Sequence, residues 1–184
     1  MALTESTMLE LGTVAPDFAL PDVITGKIVR LDDFRGQKGL LVMFICTHCP
    51  YVKHIEQGLA QLGSDYAGKL GIVAISSNDA DNYPDDSPAG LTCQAQTMGF
   101  KFPYLYDESQ QVARAYNAAC TPDIYLFDKD FKLVYRGQFD ASRPSNSVPV
   151  TGQDLRAAID AVLRGEKPST DQRASVGCNI KWKS

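Results

Sequence analysis

Between Gly39 and Ile45 the chain runs Gly-Leu-Leu-Val-Met-Phe-Ile without a charge, then passes straight into Cys46-Thr47-His48-Cys49-Pro50. An apolar run this short, rich in strand formers, predicts a strand buried on both faces. Pro50 has no N–H to give and suits the first turn of a helix. Val52, Ile55, Leu59 and Leu62 then recur at helical spacing. A doubly buried strand needs helices on its faces, which constrains the chain to an α/β architecture. The same segment delivers two thiols, about one turn or ~4.5 Å of helix rise apart, to a helix mouth. There the helix dipole stabilises a thiolate, and a disulfide can close.

The rest of the pattern builds around that strand. Residues 70–76 predict a second buried strand, and 102–106 a short third one. Residues 17–20 and 27–31 predict a small hairpin around Thr25-Gly26. Residues 123–127 and 133–137 predict another around Asp128-Lys129-Asp130. Helices are expected over 48–62, 89–98, 108–116 and 152–164, the last with Leu155, Ile159, Val162 and Leu163 on one face. Loops rich in Asn, Asp, Ser and Pro fill 77–88 and 140–150. The expectation is one domain over residues 1–184: a central mixed sheet flanked by helices, a loose arm at 1–11, an N-terminal β extension and a C-terminal tail at 168–184.

Bulk properties narrow the function classes. The 184 residues suit one domain with a sizeable core. A net charge of −4 and a pI near 5.1 lack the basic footprint of nucleic-acid binding. No charge-poor apolar run approaches the length of a membrane span. The first residues carry no basic stretch followed by an apolar one, so no secretory signal is read. Five cysteines are too few for a disulfide scaffold, and the number is odd. A cytoplasmic protein with reactive thiols is the expectation, with no membrane or nucleic-acid partner.

The C-x-x-C after a core strand, together with Thr121-Pro122 just before a hairpin strand, resembles the thioredoxin fold. Ala15-Pro16-Asp17-Phe18-x-Leu20 and Leu31-x-x-Phe34-x-Gly36 resemble the redoxin branch that contains peroxiredoxins. Cys46 to His54, Ser76 to Asp79, Ala119 to Asp123 and Gly177 to Trp182 are similar to the peroxiredoxin-like subfamily of the AhpC/TSA and thioredoxin superfamily. The likeness covers nearly all of the chain after residue 11, and the order of the motifs makes it specific. It implies a cis-proline at Pro122 lying against the thiol pair, with Thr121 before it as a clamp on substrate backbone.

Two departures matter. Thioredoxin's buried acid in the strand before C-x-x-C corresponds here to Leu40, so proton transfer uses another group, water, or none. The peroxiredoxin pattern P-x-x-x-T/S-x-x-C fails at both cysteines: Val42 and Cys46 precede Cys49 at those places, Gly39 and Met43 precede Cys46.

Residue by residue, Cys46 is the expected attacking thiol, and Cys49 the resolving one. His48 between them would stabilise a thiolate when protonated, which predicts a lowered pKa at Cys46. Zinc would need further ligands. His54, eight residues after Cys46, lies ~12 Å along a helix and cannot readily share a metal with it. No metal or other cofactor is expected. Cys178 and Cys120 are candidate accessory redox thiols. Cys178 reads equally as a relay thiol or as packing in an extended tail whose alternation puts Cys178, Ile180 and Trp182 inward and Lys181 and Lys183 outward. Cys93 reads as structural. Lys53 could add positive potential, and Arg143 and the Asp85-Asp86 pair read as solvated loop.

The functional expectation is thiol–disulfide exchange through Cys46 and Cys49, with protein or small-molecule disulfides as substrates and a cellular thiol as reductant. Two alternatives stand beside it. One is a peroxide-reducing antioxidant enzyme; the other is a redox-sensing module without turnover that moves the Cys178 tail.

Overall fold

The computed structural model describes residues 3–184. Its centre is β4 (Gly39–Phe44), all six residues of which are buried. β5 (Gly71–Ser76) pairs with β4 in parallel, and β6 (Tyr104–Tyr106) pairs with β5 in parallel. On the other side β8 (Asp123–Asp128) runs antiparallel to β4, and β9 (Leu133–Arg136) closes the hairpin. The sheet order is β6-β5-β4-β8-β9, a mixed sheet as the alternation of elements predicts.

The pleat of β4 divides the core in two. Leu41, Met43 and Ile45 face one cluster with α1 (Pro50–Asp65), α2 (Pro88–Met98) and α4 (Gln153–Leu163). Leu40, Val42 and Phe44 face the other, with α3 (Gln111–Ala115) and the N-terminal hairpin β2 (Ala19–Pro21) and β3 (Ile28–Arg30). Period-2 alternation in a buried strand has this outcome. Helix α1 supplies Val52, Ile55, Leu59 and Leu62 to the first cluster, as their spacing requires. Each such fully buried aliphatic side chain contributes roughly 1.5–3 kcal/mol. The second cluster is aromatic at its centre: Tyr116 packs edge-on against Tyr125 at 5.5 Å and tilted against Phe44 at 5.7 Å.

The chain ends depart from expectation. The arm is tied down: β1 (Leu3–Glu5) pairs antiparallel with β10 (Val176–Asn179), and β10 pairs with β7 (Cys120–Thr121). Residues 1 and 2, also assigned to the arm, lie outside the described residues.

The alternation expected of the tail holds only in part. Cys178 and Ile180 are buried, but Lys181 is buried too, and Trp182 is 38% exposed beside Arg114. The reason is backbone hydrogen bonding. The Lys181 N–H donates to Asn78 Oδ1 at 2.8 Å, and its carbonyl accepts from Asp79 N and Gln110 Nε2. Those bonds fix the tail independently of side-chain polarity, and the Lys181 ammonium turns back onto the Asn179 carbonyl at 2.6 Å.

Candidate active site

β4 ends at Phe44 and α1 begins at Pro50, so the five-residue connection presents both thiols beneath the helix. Cys49 is the N-cap of α1, and Pro50 stands at the first helical position. Across from them the Thr121–Pro122 bond is cis. Cys46 Sγ lies 3.4 Å from Thr121 Oγ1, and Cys49 Sγ lies 3.2 Å from the Thr121 carbonyl oxygen. The pair is closed from solvent: Cys46 is 1% exposed and Cys49 fully buried.

Cys178 completes a trio. Its Sγ is 2.7 Å from Cys49 Sγ. Strand β10 brings it there by pairing Cys178 with Thr121. The backbone edge expected to clamp a substrate at Thr121 is therefore occupied by the chain's own strand. Cys120 is buried on the far side of that turn. Its Sγ contacts the Pro122 carbonyl at 3.6 Å, and burial pushes its thiol far up, which suits packing.

The charge pattern reverses the sequence expectation. Cys46 is raised well above an ordinary thiol by its hydrogen bond to Cys49, by burial and by the nearby Asp86 carboxylate. Cys49 is brought down to about 5, first by the hydrogen bond from Cys46, then by Cys178, the Val52 N–H and Thr121, against the opposing effect of burial. The Val52 donor is the N-terminal turn of α1 acting on its own cap. Cys178 is raised to about 12, chiefly by burial, then by the hydrogen bond to Cys49. Among the three thiols the surroundings favour the thiolate at Cys49 and the neutral form at Cys46 and Cys178.

Asp86 is the functional candidate that sequence reasoning missed. It is fully buried at the end of a 3-10 turn (Pro84–Asp86), although its acidic run reads as solvated loop. Oδ1 accepts from Thr47 N at 2.8 Å and Thr47 Oγ1 at 2.7 Å. Oδ2 accepts from Asn78 Nδ2 at 2.9 Å and meets His48 Nδ1 at 2.6 Å. The His48 ring also stacks on Tyr83 at 5.5 Å. The imidazole thus faces a carboxylate, and any charge it carries is offset before it reaches Cys46. One signal was present in the sequence: Gly90, whose added Cβ would lie 1.9 Å from the Asp85 carbonyl, marks a loop folded tightly onto α2.

Cys46, His48 and Asp86 offer ligand atoms within 4.8 Å of one another, the one such cluster among the described residues. Both Asp86 oxygens already accept hydrogen bonds, from Thr47 and from Asn78. A cleft of about 590 Å³ opens beside it, bordered by Thr47, His48, Lys53, Glu56 and Gln94. Gln94 donates to the Cys46 carbonyl and to Glu56, both at 3.1 Å. Cys93, expected to be structural, is exposed on α2 and lines this cleft. Arg143 is not solvated as expected: it bonds its own loop, at the Asp140 and Ser142 carbonyls and Gln138.

An ultraviolet titration of thiolate absorbance in the reduced protein checks the charge assignment. One thiolate should appear with a midpoint near pH 5 and be absent in Cys49→Ser. Absorbance that rises only where free cysteines ionise, at about 8.5, contradicts it.

A buried strand, a dithiol capping the next helix and a cis-proline facing the sulfurs define a redox site of the thioredoxin class. Comparison with known proteins agrees. The AhpC/TSA family model matches residues 11–136. The thiol-disulfide oxidoreductase ResA of Geobacillus thermodenitrificans is 31% identical over 132 residues, 71% of this chain and 70% of that protein. The chain belongs to the AhpC/TSA family. A crystal structure of an uncharacterized conserved protein from Geobacillus kaustophilus is 53% identical, with a TM-score of 0.97 over 100% of this chain and 97% of that one. The thioredoxin domain of a thiol-disulfide oxidoreductase from Bacteroides vulgatus shares the fold at 18% identity, with a TM-score of 0.60 over 81% of this chain and 97% of that one.

Proposed function

We propose that the protein is a thiol–disulfide oxidoreductase whose dithiol is Cys46–Cys49. The observation that carries this reading is the convergence of both sulfurs on Thr121, at 3.4 and 3.2 Å, at the N-terminus of α1. Cys46 attacks a disulfide R–S–S–R′. Its sulfur bonds to one half, and the other leaves as a thiolate. Cys49 then attacks the Cys46 sulfur, expels the remaining half, and leaves a Cys46–Cys49 disulfide. Two electrons pass from the dithiol to the substrate, and a thiol reductant returns them.

Arming Cys46 requires its proton to move. Cys49, already the anionic partner, is one acceptor, and the Asp86–His48 pair is the other. These groups take the place of the acid that Leu40 cannot supply. The cleft beside Thr47 and His48 favours small disulfides, since β10 covers the Thr121 edge. The composition and cysteine count favour a reducing, cytoplasmic setting as part of this proposal.

Single turnover tests it. Reduced Cys93→Ser protein mixed with one equivalent of glutathione disulfide should release two glutathione thiols per chain, with Cys49 becoming resistant to alkylation. If the disulfide releases nothing while hydrogen peroxide consumes the thiols at once, exchange gives way to peroxide reduction.

A further inference from the structure

We propose that Cys178 is a second resolving thiol, so that the oxidised protein rests as a Cys49–Cys178 disulfide with Cys46 returned to the free thiol. The inference rests on the dithiol reading above and extends it.

Three observations on the tail carry it. The first is distance: the sulfurs of Cys49 and Cys178 are 2.7 Å apart, against about 2.05 Å in a formed disulfide. Bond formation therefore needs almost no backbone movement. The second is register. β10 pairs with β7 so that Cys178 stands opposite Thr121, the residue that touches both Cys46 and Cys49. The tail occupies the edge where an incoming disulfide substrate would be held, and it presents a cysteine there.

The third is the glycine beside it. A Cβ on Gly177 would fall 1.9 Å from the Thr121 carbonyl oxygen and 3.1 Å from Pro122 Cδ. Only glycine lets β10 approach this closely. Ser175, whose hydroxyl donates to the Pro122 carbonyl at 2.6 Å, and Lys181, whose N–H donates to Asn78, hold the strand on either side of Cys178. Asn78 in turn donates to Asp86. Seating of the tail and the environment of Cys46 thus belong to one hydrogen-bonded unit.

The step balances without an outside oxidant. Starting from the Cys46–Cys49 disulfide, Cys178 gives up its proton and its thiolate attacks Cys49 Sγ. The Cys49–Cys178 bond forms, the Cys46–Cys49 bond breaks, and Cys46 leaves with the electron pair and takes a proton. The number of disulfides is unchanged. Two features favour the product. The first is position: strand β10 already holds Cys178 Sγ 2.7 Å from Cys49 Sγ. The second is that the released Cys46 keeps a hydroxyl partner, Thr121 Oγ1, at 3.4 Å. The consequence is a protein that holds its disulfide on Cys49 and Cys178 while Cys46 is returned as a free thiol.

The test oxidises the reduced full-length chain with glutathione disulfide, quenches with acid, alkylates under denaturing conditions and maps every cysteine by mass spectrometry. Most oxidised chains should carry a Cys49–Cys178 linked peptide with Cys46 alkylated. In Cys178→Ser the bond should move to Cys46–Cys49, with loss of Cys46 alkylation. In Gly177→Ala, which pushes β10 away from Thr121, the majority should shift the same way, with circular dichroism checking the fold. Wild-type chains that hold only Cys46–Cys49, with Cys178 alkylated, overturn the relay and leave the dithiol reading intact. Chains with no bond among the three cysteines overturn both.

Discussion

Cys46→Ser brings disulfide reduction down to the uncatalysed background, and Cys49→Ser stops the reaction one step later, as a mixed disulfide held on Cys46. The two substitutions are nearly isosteric, so the packing around Thr121 should survive in both. What differs is which bond can no longer form. A serine hydroxyl at position 46 has no accessible anion near neutral pH and cannot attack a sulfur in place of a thiolate. Among the other thiols, Cys49 and Cys178 are buried, and Cys93, exposed on α2, has Thr97 rather than a second thiol beside it. At position 49 the loss is of the resolving sulfur. Cys46 then loses its hydrogen-bonding partner, and its attack proceeds once a proton leaves it. The substrate half it captures has no thiol to expel it. Intact mass after exposure to glutathione disulfide reads the outcome directly. With the exposed Cys93 replaced by serine in both, Cys49→Ser should gain one glutathione adduct and Cys46→Ser none. Full two-thiol release by Cys49→Ser would remove Cys49 from the resolving role.

The fold was most legible where local pattern and tertiary demand coincide. The uncharged run 39–45 and the spacing of Val52, Ile55, Leu59 and Leu62 predict β4 and α1, and both form where expected. The hairpin at Asp128 and the helix at 153–163 follow for the same reason. β1, β7 and β10 were not legible. They are two to four residues long, and they exist because Leu3 finds Cys178 and Cys178 finds Thr121, partners 175 and 57 residues apart in sequence. A window of sequence carries no trace of such a partner.

The thiols of the site were legible and their protonation was not. The C-x-x-C and its helix suggest a low pKa at Cys46, because the helix mouth and His48 are the charges visible nearby in sequence. The hydrogen bond to Cys49 and burial raise Cys46 instead, and Asp86, some forty residues on, adds to them. It is folded onto Thr47 and His48 by hydrogen bonds that only the assembled loop provides. Cys49, the cap of α1, is lowered first by the hydrogen bond from Cys46, then by Cys178 and by the Val52 N–H of the helix.

The stability of this arrangement is expected to hinge on Asp123 and Arg136, and breaking their pair should cost about 3–5 kcal/mol. Both side chains are fully buried, and Asp123 Oδ1 meets Arg136 Nη1 directly. Asp123 is also the first residue of β8, immediately after Pro122, and its other oxygen accepts from the Ala119 N–H at 2.9 Å. The carboxylate therefore fastens both sides of the turn that faces the dithiol. The guanidinium lies over the Tyr125 ring, 3.8 Å from its centroid, and Nη1 also reaches the Ile124 carbonyl at 3.3 Å. Its Nε and Nη2 donate to no other group among the described residues. In Asp123→Asn the cation keeps its burial and loses its counter-charge, with only a ring face and one carbonyl to offset it. In Arg136→Met the carboxylate is stranded instead. In the double variant neither charge remains, and the desolvation cost goes with them. The double variant should therefore be more stable than either single one, a coupling that urea denaturation reads as a recovered midpoint at unchanged slope. If the two losses simply add, the pair contributes as separate side chains, and another contact must hold the Thr121–Pro122 turn against Cys46 and Cys49.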